Sequence, residues 1–153
     1  MGNYLNPGNE SFRKIVNSEI YVDKTGLLNY TNKVLNTMQG YLCVSRPRRF
    51  GKSMAAAMLA AYYSRECDSG DLFSSFEIAA SEDFGKYLNK YNTIFLNMQE
   101  FLSQSRDMAG MLDLIRRSVL WDLLEKYPDF RYFDNTNHAG CICGNQMPLC
   151  DYY

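Results

Sequence analysis

Residues 45–53 of the chain read SRPRRFGKS and lie between two apolar runs. A compact apolar run at residues 41–44 precedes this stretch and predicts a buried strand. A run rich in Ala and Met follows at residues 54–61 and predicts a helix, because both residue types favour helices. A Gly-Lys-Ser sequence between a strand and a helix is the context in which such a loop binds phosphate. Residues 45–53 therefore predict a phosphate-binding loop.

Each residue type in this loop suits a nucleotide phosphate. Gly51 would let the backbone approach the anion, and Lys52 would reach the β- and γ-phosphates. Ser53 would offer its hydroxyl to a Mg²⁺ ion held by the nucleotide, which makes it the predicted metal contact. The predicted cofactors are ATP and Mg²⁺. The predicted cofactor-binding residues are Arg48, Arg49, Phe50, Gly51, Lys52 and Ser53.

The loop departs from the usual pattern and leaves alternatives open. Arg46 stands where a glycine usually lies, five residues before Gly51. A plain turn with a solvated Lys52 would need no ligand. The three arginines could also suggest a nucleic-acid patch. A short basic cluster in a chain of 16 basic and 17 acidic residues more often serves a single phosphate group, however, and Arg48 and Arg49 would touch phosphate or simply be solvated.

The rest of the chain extends the strand and helix pattern. Residues 93–96 form a second apolar run that predicts a buried strand. Apolar residues recur every three or four positions between Met108 and Tyr127, which predicts an amphipathic helix. Earlier in the chain, Ser11 and Asp23 are candidate N-caps of two further helices. Strand, helix, strand and helix with connections of this length imply a right-handed parallel unit.

Two motifs together resemble those of a known family. Residues 21–25, YVDKT, and residues 46–53, RPRRFGKS, are similar to motifs of the AAA-ATPase-like family, and the resemblance covers about residues 6–137. In that family Arg-Pro typically replaces the first glycine of the loop. The resemblance implies ATP binding through Lys52 and Ser53. It also implies a nuclease-like domain in relatives, where that domain usually follows the ATPase-like domain.

Asp23 and Thr25 belong to the first of these motifs. A helix cap with its first turn would explain both residues, and so would a contact with the nucleotide. The sequence leaves these two interpretations open.

A P-loop ATPase also needs an apolar strand that ends in Asp, which holds Mg²⁺ and helps to activate water. Residues 94–100 come nearest, but Asn97 is neutral and Glu100 lies beyond the predicted strand end. A core strand followed by a polar turn would explain that segment. We therefore expect nucleotide binding without efficient hydrolysis and name no catalytic residue. The predicted fold class is α/β, with an incomplete P-loop NTPase-like parallel sheet and flanking helices.

The tail at residues 138–153 differs in composition from the predicted domain at residues 6–137. Four of its side chains are of the kind that zinc accepts: His138, Cys141, Cys143 and Cys150. A small zinc-stabilised binding module is therefore an alternative. Codons shifted by one base would instead permit an ending Pro-Phe-Val-Ile-Ile-Ile-Asp, which looks like the family's acidic strand. A frameshift would leave a truncated ATPase, or an inactive pseudogene product.

Composition and charge exclude several classes of protein. The chain has 153 residues, of which 46% are hydrophobic and 22% charged, as in a globular domain. Its net charge of -1 argues against a general nucleic-acid binder, so we expect a nucleic-acid partner only for a nuclease-containing relative. No apolar run reaches the roughly 18 residues of a membrane span, and residues 1–14 lack the apolar core of a signal peptide. We expect a cytoplasmic protein with a nucleotide partner and no membrane partner.

Overall fold

The computed structural model describes residues 4–129, and this part of the chain is helical. The first compact unit ends at Leu96 and the second begins at Asn97. The helices are α1 (Glu10–Val16), α2 (Gly26–Val34), α3 (Lys52–Tyr63), α4 (Gly70–Phe73), the 3-10 helix Glu77–Ala80, α5 (Phe84–Tyr87), α6 (Met98–Gln104) and α7 (Met108–Lys126).

No β-sheet is present among residues 4–129, so the predicted α/β fold with a parallel sheet is wrong. The run at residues 41–44, predicted as a buried strand, is exposed throughout, with Tyr41 97% and Val44 49% exposed. A strand satisfies its backbone and buries its side chains only beside a neighbouring strand. No other described segment forms a bridge with this run, and its apolar side chains therefore remain at the surface.

The second predicted strand, residues 93–96, pairs with the start of the chain instead of a parallel neighbour. Leu5 and Ile94 form an isolated antiparallel bridge. Beside it, the Asn6 N–H donates to the Thr93 carbonyl oxygen at 2.8 Å. One bridge orders a short extended segment but does not build a sheet.

The predicted helices are confirmed, with shifts at their N-termini. α3 contains the whole predicted run at residues 54–61, and α7 covers the predicted range up to Lys126. α1 has Asn9 at its N-cap rather than Ser11. The N-cap of α2 is Thr25, and Asp23, which was predicted to be the N-cap, lies two residues before it.

Aromatic rings form the centre of the first unit. Phe73 is fully buried and stacks on Phe12 with ring centroids 5.1 Å apart. Tyr62, near the C-terminal end of α3, meets Phe73 edge to face at 5.3 Å. Such pairs contribute about 0.5–1.5 kcal/mol each beyond the area that they bury. The C-terminal half of α3 is thus fixed in the core, while Lys52 at its N-terminal end is exposed.

The side chain of Asn89 holds the C-terminal end of α3. Its Nδ2 donates to the carbonyl oxygens of Ser64 at 2.7 Å and Ala61 at 3.2 Å. Its Oδ1 accepts the Ser69 N–H at 3.0 Å. Because the last carbonyls of a helix have no partner within the helix, this amide supplies partners that the helix itself lacks.

The second unit contains α6 and α7, which pack against each other. Phe101 on α6 and Met111 on α7 are buried, whereas Leu112 and Trp121 on α7 are exposed, Trp121 by 58%. The apolar stripe predicted for α7 is therefore only partly covered among the described residues. No helix of residues 4–129 has both the length and the apolar character that crossing a membrane requires.

Candidate nucleotide-binding loop

Residues 45–51 lie directly before α3, and Lys52 and Ser53 form its first turn. The helix after the loop is therefore present as predicted, but the strand predicted before it is not. Gly51 occupies the N-cap with φ 76° and ψ 26°, a left-handed conformation that glycine adopts without steric cost. Among residues 4–129, no side chain caps this helix, and its first turn contains no acidic residue. The first N–H groups of a helix have no partner within it. The N-terminal end of α3 therefore presents unpaired donors together with the positive end of the helix dipole.

The six residues predicted to bind a cofactor share this one segment. Gly51 is half-buried, and the side chains around it are exposed; Phe50 is exposed by 60%. Arg49 also has a positive φ of 69°, which is uncommon for a residue with a side chain. The loop is thus a tight turn whose cationic side chains point to the surface.

Lys52 contacts the backbone of its own loop. Its Nζ donates a hydrogen bond to the Arg46 carbonyl oxygen, six residues earlier. The exposed Lys52 side chain therefore folds back over its own loop.

A second ammonium group, from Lys24, reaches the loop from the first motif. Its Nζ donates to the Phe50 carbonyl oxygen at 3.3 Å. A Cβ built on Gly51 would lie 2.5 Å from this Nζ, so the missing side chain of Gly51 makes room for Lys24. Our sequence interpretation did not include Lys24 in the site. The available signal was its place between Asp23 and Thr25 in the first motif.

Asp23 and Thr25 contact the 3-10 helix Glu77–Ala80. Asp23 Oδ1 accepts the Thr25 N–H at 2.8 Å, and its Oδ2 accepts the Glu77 N–H at 3.0 Å. The Thr25 hydroxyl oxygen accepts the Ile78 N–H at 3.2 Å. These contacts favour the structural interpretation of both residues over a nucleotide contact.

The pKa of the Asp23 carboxyl reflects the same contacts. Partial burial raises this pKa, but the N–H groups of Glu77 and Thr25 that donate to the carboxylate lower it, and the net shift is downward. The ionised carboxylate is therefore the form that the folded protein prefers.

Tyr21 connects the first motif to the aromatic core. Its ring lies 5.4 Å from that of Phe76 and 6.1 Å from that of Phe12, measured between centroids. Burial raises the pKa of its phenol, with a smaller contribution from the nearby Asp23 charge. Three of the five residues of the first motif are thus tied to the body of the first unit.

Several predictions about metals fall outside this loop. The zinc ligands proposed in the tail, and the frameshift interpretation of that tail, lie outside the described residues. Within residues 4–129, no group of three or more His, Cys, Asp and Glu side chains could hold a metal ion. Asn97, the neutral residue at the end of the second predicted strand, caps α6, because its side chain accepts the Gln99 N–H at 3.2 Å.

Comparison with known proteins bears on the family. No curated protein and no solved structure matches the chain significantly. A family model described as "Predicted AAA-ATPase" matches residues 7–140, which contain both motifs and agree with the expected range of about 6–137. The nuclease-like domain of relatives stays a prediction. The match covers most of the chain, and the chain therefore belongs to the AAA-ATPase-like family.

Proposed function

We propose that this chain binds the phosphate groups of ATP, together with Mg²⁺, at the N-terminal end of α3. The observation that carries the proposal is the geometry of the 45–53 loop, in which a left-handed Gly51 directly precedes an uncapped helix of 12 residues. Unpaired N–H groups at such an end bind anions. Membership of a family with an ATPase-like role supports a nucleotide as the source of the phosphate.

The charges around the loop favour a ligand with several negative charges. The exposed cationic residues of the loop are Arg46, Arg48, Arg49 and Lys52. Among residues 4–129, no carboxylate forms an ion pair with any of them. Cations near the positive end of a helix dipole are unfavourable. A polyphosphate would offset this repulsion.

Lys52 and Ser53 have defined roles in this proposal. Lys52 would exchange its hydrogen bond with the Arg46 carbonyl for one with a phosphate oxygen. The new bond would join two charged groups, and such bonds are roughly twice as strong as neutral ones. Ser53, exposed in the first turn of α3, would direct its hydroxyl to the Mg²⁺ ion that the nucleotide carries.

We propose binding without efficient hydrolysis. Hydrolysis requires a carboxylate that holds Mg²⁺ and a group that orients water. No carboxylate among residues 4–129 forms a hydrogen bond or ion pair with the loop. Full-length chain incubated with ATP and Mg²⁺ should therefore release inorganic phosphate no faster than the Lys52→Ala variant does.

Calorimetric titration of the full chain with ATP and Mg²⁺ tests the binding. Lys52→Ala should lower the affinity by about 100-fold, as expected for the loss of a hydrogen bond between charged groups. Lys33→Ala is the matched control, because Lys33 is an exposed lysine in the last turn of α2.

The control should bind ATP as the wild type does, and all three proteins should unfold at the same denaturant concentration. Full affinity in Lys52→Ala would remove the loop from the proposal. Absence of ATP binding by the wild type would overturn the proposed function altogether.

A further inference from the structure

We propose that Lys24 is a second cation of the nucleotide site, supplied by the first motif, and that its ammonium group contacts the nucleotide phosphates beside Gly51. The inference rests on the proposed function of the 45–53 loop. It extends the site to Lys24, which contacts Phe50 of the loop although the two residues are 26 positions apart in sequence.

The Lys24 ammonium group lies beside the N-terminal end of α3. Its Nζ is 3.3 Å from the Phe50 carbonyl oxygen and 2.5 Å from the place where a Gly51 Cβ would stand. It therefore lies against Gly51, the N-cap residue of α3. A phosphate bound by the first N–H groups of that helix would lie near the same residue.

The charge of Lys24 has no ion-pair partner among residues 4–129. The neighbouring carboxylate of Asp23 accepts the N–H groups of Thr25 and Glu77. Among residues 4–129, no carboxylate forms an ion pair with Lys24, and its hydrogen-bond partner is one neutral carbonyl. Lys24 is exposed, so water solvates its ammonium group when no ligand is bound. An anion bound at the N-terminal end of α3 would gain a hydrogen bond between charged groups from it.

The backbone around Lys24 is held by hydrogen bonds. Asp23 on one side and Thr25 on the other both bond to the 3-10 helix Glu77–Ala80. The Lys24 carbonyl oxygen in turn accepts the Leu27 N–H at 3.0 Å. The side chain therefore extends from a fixed point, which lowers the entropy lost when it meets a ligand.

Isothermal titration with ATP and with inorganic tripolyphosphate tests the contact. Lys24→Met removes the charge at nearly constant length and should lower both affinities by about tenfold, the lower end of the range for a hydrogen bond between charged groups, because Lys24 is exposed. Lys24→Arg keeps the charge and should recover most of the affinity. Lys33→Met makes the same chemical change on the exposed surface of α2 and should bind as the wild type does.

A phosphorus-31 spectrum of ATP at saturation separates direct contact from support of the loop backbone. Direct contact predicts that at least one phosphate resonance of bound ATP shifts between wild type and Lys24→Met. Superimposable spectra of bound ATP, or an affinity in Lys24→Arg as low as that in Lys24→Met, would overturn the contact.

The two proposals fail in different ways. If the wild type binds ATP, Lys52→Ala binds it about 100-fold more weakly, and Lys24→Met binds as the wild type does, then the Lys24 inference alone is wrong. If the wild type does not bind ATP, the proposed function is wrong and the inference falls with it. Circular dichroism checks that each variant is folded, and Lys24→Gln replaces Lys24→Met in all measurements if the latter is unfolded.

Discussion

The two motifs of this protein differ in how the rest of the chain holds them. In the first motif, residues 21–25, Tyr21 packs among aromatic rings, and Asp23 and Thr25 accept backbone N–H groups of the 3-10 helix. The second motif, residues 46–53, is exposed except for a half-buried Gly51. Lysine ammonium groups contact its carbonyls, but its arginines form no described ion pair.

This difference separates stability from binding. A segment whose polar groups are paired inside the protein stabilises the fold, because breaking those pairs leaves buried groups unsatisfied. A segment that keeps donors and cations unpaired contributes little to stability and leaves them available for a ligand. We therefore expect substitutions in and beneath the first motif to lower the free energy of unfolding. Substitutions in the second motif should mainly lower the affinity for nucleotide.

The largest effect should come from the rings that support the first motif. Phe73→Ala should lower the free energy of unfolding by about 3–5 kcal/mol, because Phe73 is fully buried between Phe12 and Tyr62. Phe50→Ala, the same change in the exposed loop, should alter it by less than about 0.5 kcal/mol. Urea denaturation followed by circular dichroism measures both. Equal losses would mean that the loop is packed as tightly as the core.

A smaller loss is expected from one buried hydroxyl. Thr25→Val keeps the shape of this fully buried side chain but removes the acceptor of the Ile78 N–H. The free energy of unfolding should fall by about 2 kcal/mol, the cost of an unsatisfied buried donor. Ser53→Ala removes an exposed hydroxyl of the loop and should leave stability unchanged in the same urea titration. A stable Thr25→Val variant would show that the Ile78 N–H has found another partner.

Gly51→Ala should affect both properties, because Gly51 lies where the two motifs meet. The left-handed conformation costs alanine about 1–2 kcal/mol, and the new Cβ would displace the Lys24 ammonium group. We expect this loss of stability together with weaker ATP binding in calorimetry. Gly85→Ala is the control, since a Cβ there meets no atom within 4 Å. A Gly51→Ala variant with wild-type affinity for ATP would show that the Lys24 ammonium group does not contribute to binding.

The smallest effect should depend on pH. The pKa of Asp23 in the folded protein lies below its ordinary value of 3.8, so the carboxylate stabilises the fold above that pH and loses this contribution as the pH falls through the folded pKa. At neutral pH, Asp23→Asn should lower the free energy of unfolding by about 1 kcal/mol.

This difference from the wild type should disappear in strongly acidic solution, as followed by urea denaturation at a series of pH values. Glu82→Gln changes an exposed carboxylate and should follow the wild type throughout. A difference between Asp23→Asn and the wild type that is constant with pH would mean that the substitution destabilises the fold for steric reasons and not through loss of the carboxylate charge.

The helices could be predicted from the sequence because their signals are local. The Ala- and Met-rich run predicts α3, and the period of three to four residues predicts α7. Local sequence could not show whether residues 41–44 form a strand. An apolar run has the same sequence whether or not another segment lies beside it, and here no described segment pairs with it. The fold class was predicted wrongly because a strand depends on a neighbouring segment that its own sequence does not reveal.

The position of the candidate loop before α3 could be predicted for the same reason as the helices. The loop residues are adjacent in sequence, and the Gly-Lys-Ser order together with the Ala- and Met-rich run after it predicts a turn before a helix. Lys24 contacts Phe50 across 26 residues, and only the fold shows which side chain of the first motif faces the loop. The amide of Asn89 at the other end of α3 is a contact of the same long-range kind, which spacing within a motif does not reveal.

Trp121 has a practical consequence for experiments on this chain. It is the only tryptophan in the sequence, and it lies exposed on α7 in the second unit. The aromatic side chains packed in the core of the first unit include Tyr62 and Tyr63 but no tryptophan. Tryptophan emission therefore reports on the second unit, while tyrosine ellipticity in the near ultraviolet reports largely on packing in the first. Two optical signals from one unmodified sample can thus reveal whether the units melt in a single transition or in two.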